Sequence, residues 1–209
     1  NYVALLGWSP RGDLAEQEVF SLDELARAFD LAGMSKSPAI FDIEKLTHFN
    51  ALYLRSMSQE DFVKAAEPYI RKTVKDESLS VSDIAALLQA RCEKLTEIPE
   101  KVAFFQELPD YDRSLFTNKK SKCTPEVAKE MLSAAIVVLD AVHTWNEGNI
   151  NDVLTGLAEG MQVKNATLMW PVRIAAAGQA VTPGGAIEIC RILGKEETLR
   201  RLKLGLDKL

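Results

Sequence analysis

Through most of this chain apolar residues recur every three to four positions, the period of an amphipathic helix. The longest run lies behind Thr124–Pro125, where Ala128, Met131, Leu132, Ala135, Val138, Leu139 and Val142 keep one face apolar. Thr is a good N-cap and Pro suits the first helical position. The same two-residue signal recurs at Thr182–Pro183, ahead of Ile187, Ile189, Ile192 and Leu193, with Gly194 placed to close that helix in a left-handed conformation. A last helix has Leu199, Leu202, Leu206 and Leu209 as its stripe, with Arg200, Arg201, Lys203 and Lys208 around it. Gly148–Gly160 is a further helix with Ile150, Val153, Leu154 and Leu157 inward, and Val172–Gly178 is a short apolar helix carrying one charge, Arg173.

The first half follows the same rule. Asn1–Leu6 reads as the interior of a helix ending at Gly7–Pro10, and a chain that opens inside a helix reads as a piece of something longer. Ser21 with Asp23 and Glu24 starts a helix. Pro38–Asp42 is expected to be extended, and Asp42 then caps a helix to about Leu54. That helix has Leu46, Phe49, Asn50 and Tyr53 on one face and Lys45 and His48 on a more exposed one. Ser58 and Asp61 form a capping box for a helix to about Lys72. Ser82–Asp83 starts the next, with Ile84, Leu87, Leu88 and Leu95 inward. Arg91, four residues after Leu87, falls at the edge of that apolar face, where packing along its stem can hold the guanidinium outward. The next helix starts at Pro99. Asp110–Cys123 has no helical period, gathers Lys119, Lys120 and Lys122, and is the strongest domain boundary. Strand signals are nearly confined to Ala39–Phe41, so the expected fold is an all-α helical bundle.

Composition narrows the function classes. The chain has 209 residues, enough for one or two small domains with a core; 47% are hydrophobic and 26% charged, as in soluble proteins. No apolar run reaches the length of a membrane span, and nothing at the start resembles a signal peptide. Cys92, Cys123 and Cys190 have no CxxC spacing, which with only His48 and His143 argues against zinc and for a reduced, cytoplasmic protein. A net charge of −5 disfavours indiscriminate nucleic-acid binding but permits a local basic surface. No motif pairs a nucleophile with a base, so no catalytic residue and no metal ligand is assigned. Arg173, beside the start of the Thr182 helix, can hold a phosphate or a base edge; it can equally be a capping Arg in a helical core.

Several segments together carry a resemblance. They are NYVALLGWSP at 1–10, SPAIFDIEKLTHFNALYL at 37–54, LTEIPEK at 95–101 and WPVRIAAAGQAVTPGGAIEICRILGKEETLRRL at 170–202. In this order they resemble the C-terminal half of the bacterial glutamyl-tRNA synthetases, over essentially the whole chain. The resemblance implies the C-terminal part of a stem-contact region at 1–57 and two helical anticodon-binding subdomains at 58–113 and 114–209. It also implies a tRNA(Glu) partner, no DNA or membrane partner, and a cytoplasmic monomer. The family's catalytic half, which uses ATP and Mg to join glutamate to tRNA, has no counterpart here, so this chain alone is expected to be inactive and to hold no cofactor.

The letters MSKS at 34–37 imitate the family's nucleotide-binding signature loop. Gly33 stands where its leading Lys belongs, and His48 and His143, 95 positions apart, form no partner motif, so a solvated loop is expected. Carried over one by one, Arg91 falls where discriminating members read the third anticodon base, and Arg173 where a second Arg contacts the anticodon. Thr182 and Pro183 match the Thr-Pro of the anticodon-binding helix, and Lys45 matches a tRNA-contacting Lys. His48 replaces a frequent Trp. The competing reading is a helical protein-interaction module without RNA binding.

Overall fold

The computed structural model describes residues 1–209 and divides them into two compact units, Asn1–Met57 and Ser58–Leu209. Eleven α-helices and four short 3-10 turns make up the regular structure, and the only β pairings are isolated bridges, Trp8 with Met34 and Asn118 with Cys123. The fold is all-α. No helix is long and apolar enough to cross a membrane.

The first unit holds α1 (Tyr2–Gly7), α2 (Leu22–Ala28) and α3 (Ile43–Ser56). Capping follows the sequence: Ser21 and Glu24 form a reciprocal capping box, and Asp42 accepts from the N–H groups of Glu44 and Lys45. Trp8, Phe20, Phe49, Ala51 and Leu54 are buried here. The buried face of α3 is therefore not the expected one. Asn50 and Tyr53 are exposed, and Ala51 and Leu54 take the inward positions. Residues 34–37 are a loop; Ile40 and Phe41 lie outside helix and strand and are exposed.

The second unit begins with α4 (Gln59–Thr73), α5 (Val81–Leu88) and α6 (Ile98–Gln106), with α4 packed on both of the others. The helix expected from Ser82 starts two residues earlier: Ser80 is the cap, accepting from the N–H of Asp83 at 3.2 Å. It also ends earlier, at Leu88, so Arg91 lies beyond the helix in a turn and is exposed, not at the edge of the α5 face. The segment read as featureless, Asp110–Cys123, is anchored by the buried Tyr111, Phe116 and Cys123, and Arg113–Phe116 forms a 3-10 turn.

The rest is α7 (Pro125–Asp140), α8 (Glu147–Gly160), α9 (Asn165–Ala177), α10 (Ala186–Leu193) and α11 (Lys195–Asp207). At their centre is α9, which touches the other four. It continues through Pro171 although a mid-helix Pro costs about 3 kcal/mol. Leu168, Val172 and Ile174 are fully buried, and at about 1.5–3 kcal/mol each their burial outweighs that cost. Gly178 closes α9 at φ 68°, ψ 17°, a left-handed position with no room for a Cβ, which would lie 2.8 Å from Pro109 Cγ. Close approach of α11 needs Gly205, where a Cβ would lie 2.7 Å from Ala175 Cβ. The inward face of α11 is consequently Thr198, Leu199, Arg201, Leu202 and Gly205, and Arg201, expected around the apolar stripe, is 1% exposed.

Candidate nucleic-acid interface

Arg173 leaves α9 half-buried, at the edge of the helix that the rest of the bundle surrounds. Its Nη1 donates to Thr182 Oγ1 at 2.7 Å, and the Thr182 hydroxyl donates onward to the Gly184 carbonyl at 2.7 Å. The guanidinium lies 4.8 Å from the centre of the Trp170 ring, within cation–π range. Trp170, one helical turn earlier, is fixed in turn by its Nε1 donating to the Leu115 carbonyl at 3.0 Å. Burial pulls the Arg173 pKa below its ordinary value, yet a guanidinium is basic enough to stay charged.

Thr182–Pro183 is not a helix start. The first residue of α10 is Ala186, and its cap is Gly185, without a side-chain capping bond. The reason is tertiary: Arg173 and the Gly184 carbonyl occupy the Thr182 hydroxyl, and Gly184 presses against Leu87, where a Cβ would lie 2.9 Å from Cδ1. Pro183 is buried and serves to hold this loop.

Arg173, Trp170, Met169, Ala166, Ser121, Gly185 and Ala186 line an open cleft of about 200 Å³. The Thr182 bond uses one of the five guanidinium donors. Next to the cleft residue Gly185, Glu188 in the first turn of α10 turns back, its Oε2 2.7 Å from where a Cβ on Gly185 would stand. A carboxylate at that place opposes a simple phosphate site at the helix N-terminus. Fixed donors beside an acceptor and an indole face match the mixed edge and flat face of a base.

The lysine turn borders this cleft. Asn118 and Cys123 exchange both backbone hydrogen bonds, at 2.9 and 3.0 Å, and Asn118 Oδ1 accepts from the N–H of Ser121 at 2.9 Å. Ser121 faces the cleft, while Lys119, Lys120 and Lys122 stand exposed around it. Lys122 sits at φ 50°, a left-handed position that a side chain adopts at some cost.

Arg91 is not in this cleft. It follows α5, whose Leu87 touches Gly184 and whose Asp83 accepts from Arg191 Nη1 of α10 at 2.9 Å. The Arg91 N–H donates to the Leu88 carbonyl at 2.8 Å, and its carbonyl accepts from Lys101 Nζ at 3.1 Å. Glu97, on the segment that follows, pairs with Lys101 at 3.0 Å. Burial works against the Glu97 carboxylate, but the N–H of Glu93, the Lys101 ammonium and the N–H of Lys94 together hold its pKa below the ordinary value. Lys45 belongs to the other unit, where its N–H bonds Asp42 and its side chain is half-exposed; the neighbouring His48 Nε2 lies 3.5 Å from Glu18. Trp170 and Ser121 were missed by sequence reasoning. Trp170 was findable, because it stands three residues before Arg173 on the same helix face. No group of three or more His, Cys, Asp or Glu side chains is placed to hold a metal ion.

Residues 61–206 match the family described as the anticodon-binding domain. The chain belongs to this family. The matched span of the anticodon-binding domain takes in Arg91, Arg173, Thr182, Pro183 and the lysine turn, and leaves out Lys45. Among relatives of known sequence, the chain is 46% identical over 209 residues to the glutamate–tRNA ligase of Clostridium tetani and 41% identical over 209 residues to that of Clostridium acetobutylicum. Each match covers 100% of the chain and 42% of the relative, so the chain spans about two fifths of their length. Among solved structures it is similar to the glutamate tRNA ligase of Elizabethkingia meningosepticum, determined in complex with its amino acid. There the TM-score is 0.78 at 28% identity, over 100% of this chain and 40% of that one. The glutamate-tRNA synthetase of Elizabethkingia anophelis gives 0.79 at 26% identity, over 99% and 39%.

Proposed function

We propose that this chain is the tRNA-gripping part of a glutamyl-tRNA synthetase, reading the anticodon of tRNA(Glu) as a cytoplasmic monomer. Residues 1–57 are the last part of the stem-contact region, and 58–113 and 114–209 the two anticodon-binding subdomains. The whole enzyme joins glutamate to tRNA with ATP and Mg; this chain, which holds no nucleotide-binding sheet, contributes recognition and no chemistry.

The observation that carries the reading is the cleft with Arg173, held by Thr182, beside Trp170, inside an anticodon-binding domain. Anticodon bases are single-stranded, so their faces can stack and their Watson–Crick edges can be hydrogen-bonded. Arg173 supplies fixed donors beside a ring; Thr182 holds the guanidinium in place, with Pro183 stiffening its loop. Arg91 reads the third base. Cytosine offers O2 and N3 as adjacent acceptors to a guanidinium. Guanine, the third base of glutamine tRNA anticodons, turns the donors N1–H and N2–H to it, and leaving donors unpaired there costs roughly 1–3 kcal/mol. The Lys119–Lys122 turn and Lys45 meet phosphates.

The test is a titration with tRNA(Glu) transcript across a range of salt. Each neutralised phosphate contributes about −0.7 to −0.9 to the slope of log K against log salt, so about four contacts give roughly −3. A flat response would refute phosphate gripping and favour a helical protein-interaction module.

A further inference from the structure

Arg91 presents a problem that the structure itself answers. Its side chain is exposed, three residues beyond the end of α5. A long, loosely placed guanidinium discriminates poorly between bases, because it can swing to whatever acceptor is near. Yet the six residues from Gln89 to Lys94, which join α5 to the next 3-10 turn, are tied at several points. The Arg91 N–H is bonded to Leu88, and Cys92 is fully buried with its Sγ 3.2 Å from the Lys94 carbonyl. The remaining ties converge on two charged side chains from the following segment. Glu97 Oε1 accepts from the N–H of Glu93 at 2.7 Å and of Lys94 at 3.3 Å, and also binds Lys101 Nζ at 3.0 Å. Lys101, one turn later on α6, reaches back to the carbonyl of Arg91 itself at 3.1 Å.

We propose that Lys101 and Glu97 are positioning residues for specificity: they clamp the backbone of the Arg91 turn so that its guanidinium meets the third anticodon base at a fixed height and angle. The inference rests on the reading of Arg91 given above. Neither residue needs to touch the RNA. The Lys101 ammonium fixes the carbonyl of Arg91, and Glu97 fixes both the ammonium and the two N–H groups that follow.

The clamp predicts an effect on selectivity that differs from an effect on affinity. Two tRNA(Glu) transcripts, identical except for C or G at the third anticodon base, are titrated against this chain and against Lys101→Met, Lys101→Arg, Glu97→Gln, Arg91→Gln and the Arg91→Gln/Lys101→Met pair, with thermal melting of each. Lys101→Met and Glu97→Gln are expected to narrow the C-over-G ratio about threefold or more at nearly unchanged melting temperature, since both groups stand partly in solvent. Lys101→Arg keeps a donor in reach and restores most of the ratio. In the Arg91→Gln background, Lys101→Met leaves the ratio where Arg91→Gln put it. A Lys101 that only gripped phosphate would weaken both transcripts equally and leave the ratio alone, which overturns the proposal. So does a narrowing that persists undiminished without Arg91. If Arg91→Gln itself leaves the ratio at the wild-type value, the base-reading assigned to Arg91 falls first, and the clamp falls with it.

Discussion

Glu197 accepts from Arg200 Nε at 2.6 Å and Nη2 at 2.8 Å, and from Arg201 Nε at 2.5 Å. The Arg200 hydrogen bonds lead in lowering its pKa; burial opposes them, Arg201 adds to them, and the result is about 2 against an ordinary 4.5. A carboxyl whose folded pKa is depressed stabilises the fold above its unfolded pKa, and that stability is lost as pH falls from about 4.5 toward 2. Melting followed from about pH 6 to 2 should therefore show a shallower acid limb in Glu197→Gln than in the wild type. Superimposable acid limbs would contradict the assignment. Legibility at this scale is uneven for a physical reason. Thr124 and Thr182 each precede a Pro and look alike along the chain. Thr124 caps α7, accepting from the N–H of Val127 at 3.3 Å, whereas the hydroxyl of Thr182 is claimed by an arginine nine residues back. Local chemistry names the candidates for a hydroxyl, and tertiary neighbours choose among them. Arg173 was legible as a lone charge in an apolar run, but the exposed turn under Arg91 was not, because Leu87 and Leu95 keep a helical spacing across a break.

Two helix ends are tied together by α11. Arg201 Nη1 donates to the carbonyl of Phe104 at 2.7 Å and to that of Ala176 at 2.8 Å, near the C-terminal ends of α6 and α9. Those carbonyls have no intrahelical partner, and a cation there suits the negative end of each helix dipole. One buried side chain thus caps two helices and fixes the third to both. Arg201→Ala strands the carbonyls and leaves Glu197 with one partner fewer, so a loss of about 3–5 kcal/mol is expected in denaturant unfolding. Arg201→Lys should lose less, because an ammonium can still meet one carbonyl. A loss under about 1 kcal/mol for the Ala variant would show that the hub is incidental. Of the stripe that the sequence period gives α11, Leu199 and Leu202 are buried, whereas Leu206 and Leu209 are only half-buried. Gly205 displaced it: a glycine gives no hydrophobic signal, yet it lets α9 approach and turns the Arg201 face inward.

At the scale of the molecule the two units differ in what they leave in water. Twelve large apolar side chains are exposed in residues 1–57, Val3, Leu22, Leu31 and Ile40 among them, against three in 58–209: Val137, Val181 and Leu204. A unit of about 60 residues buries only roughly 60% of its unfolded surface, whereas one of about 150 buries nearer 70%. The second unit is thus the better insulated, and it carries the cleft, the lysine turn and Arg91. A net charge of −5 leaves attraction for RNA to local basic groups, which favours a small, directed contact over coating. The central claim is that this contact is the anticodon loop. A hydroxyl-radical footprint of tRNA(Glu) in complex with the chain tests it most directly. Protection is expected at the three anticodon nucleotides and is expected to disappear there in Arg173→Ala while persisting on the adjoining stem. An anticodon loop cleaved as fast in the complex as in free tRNA would contradict it.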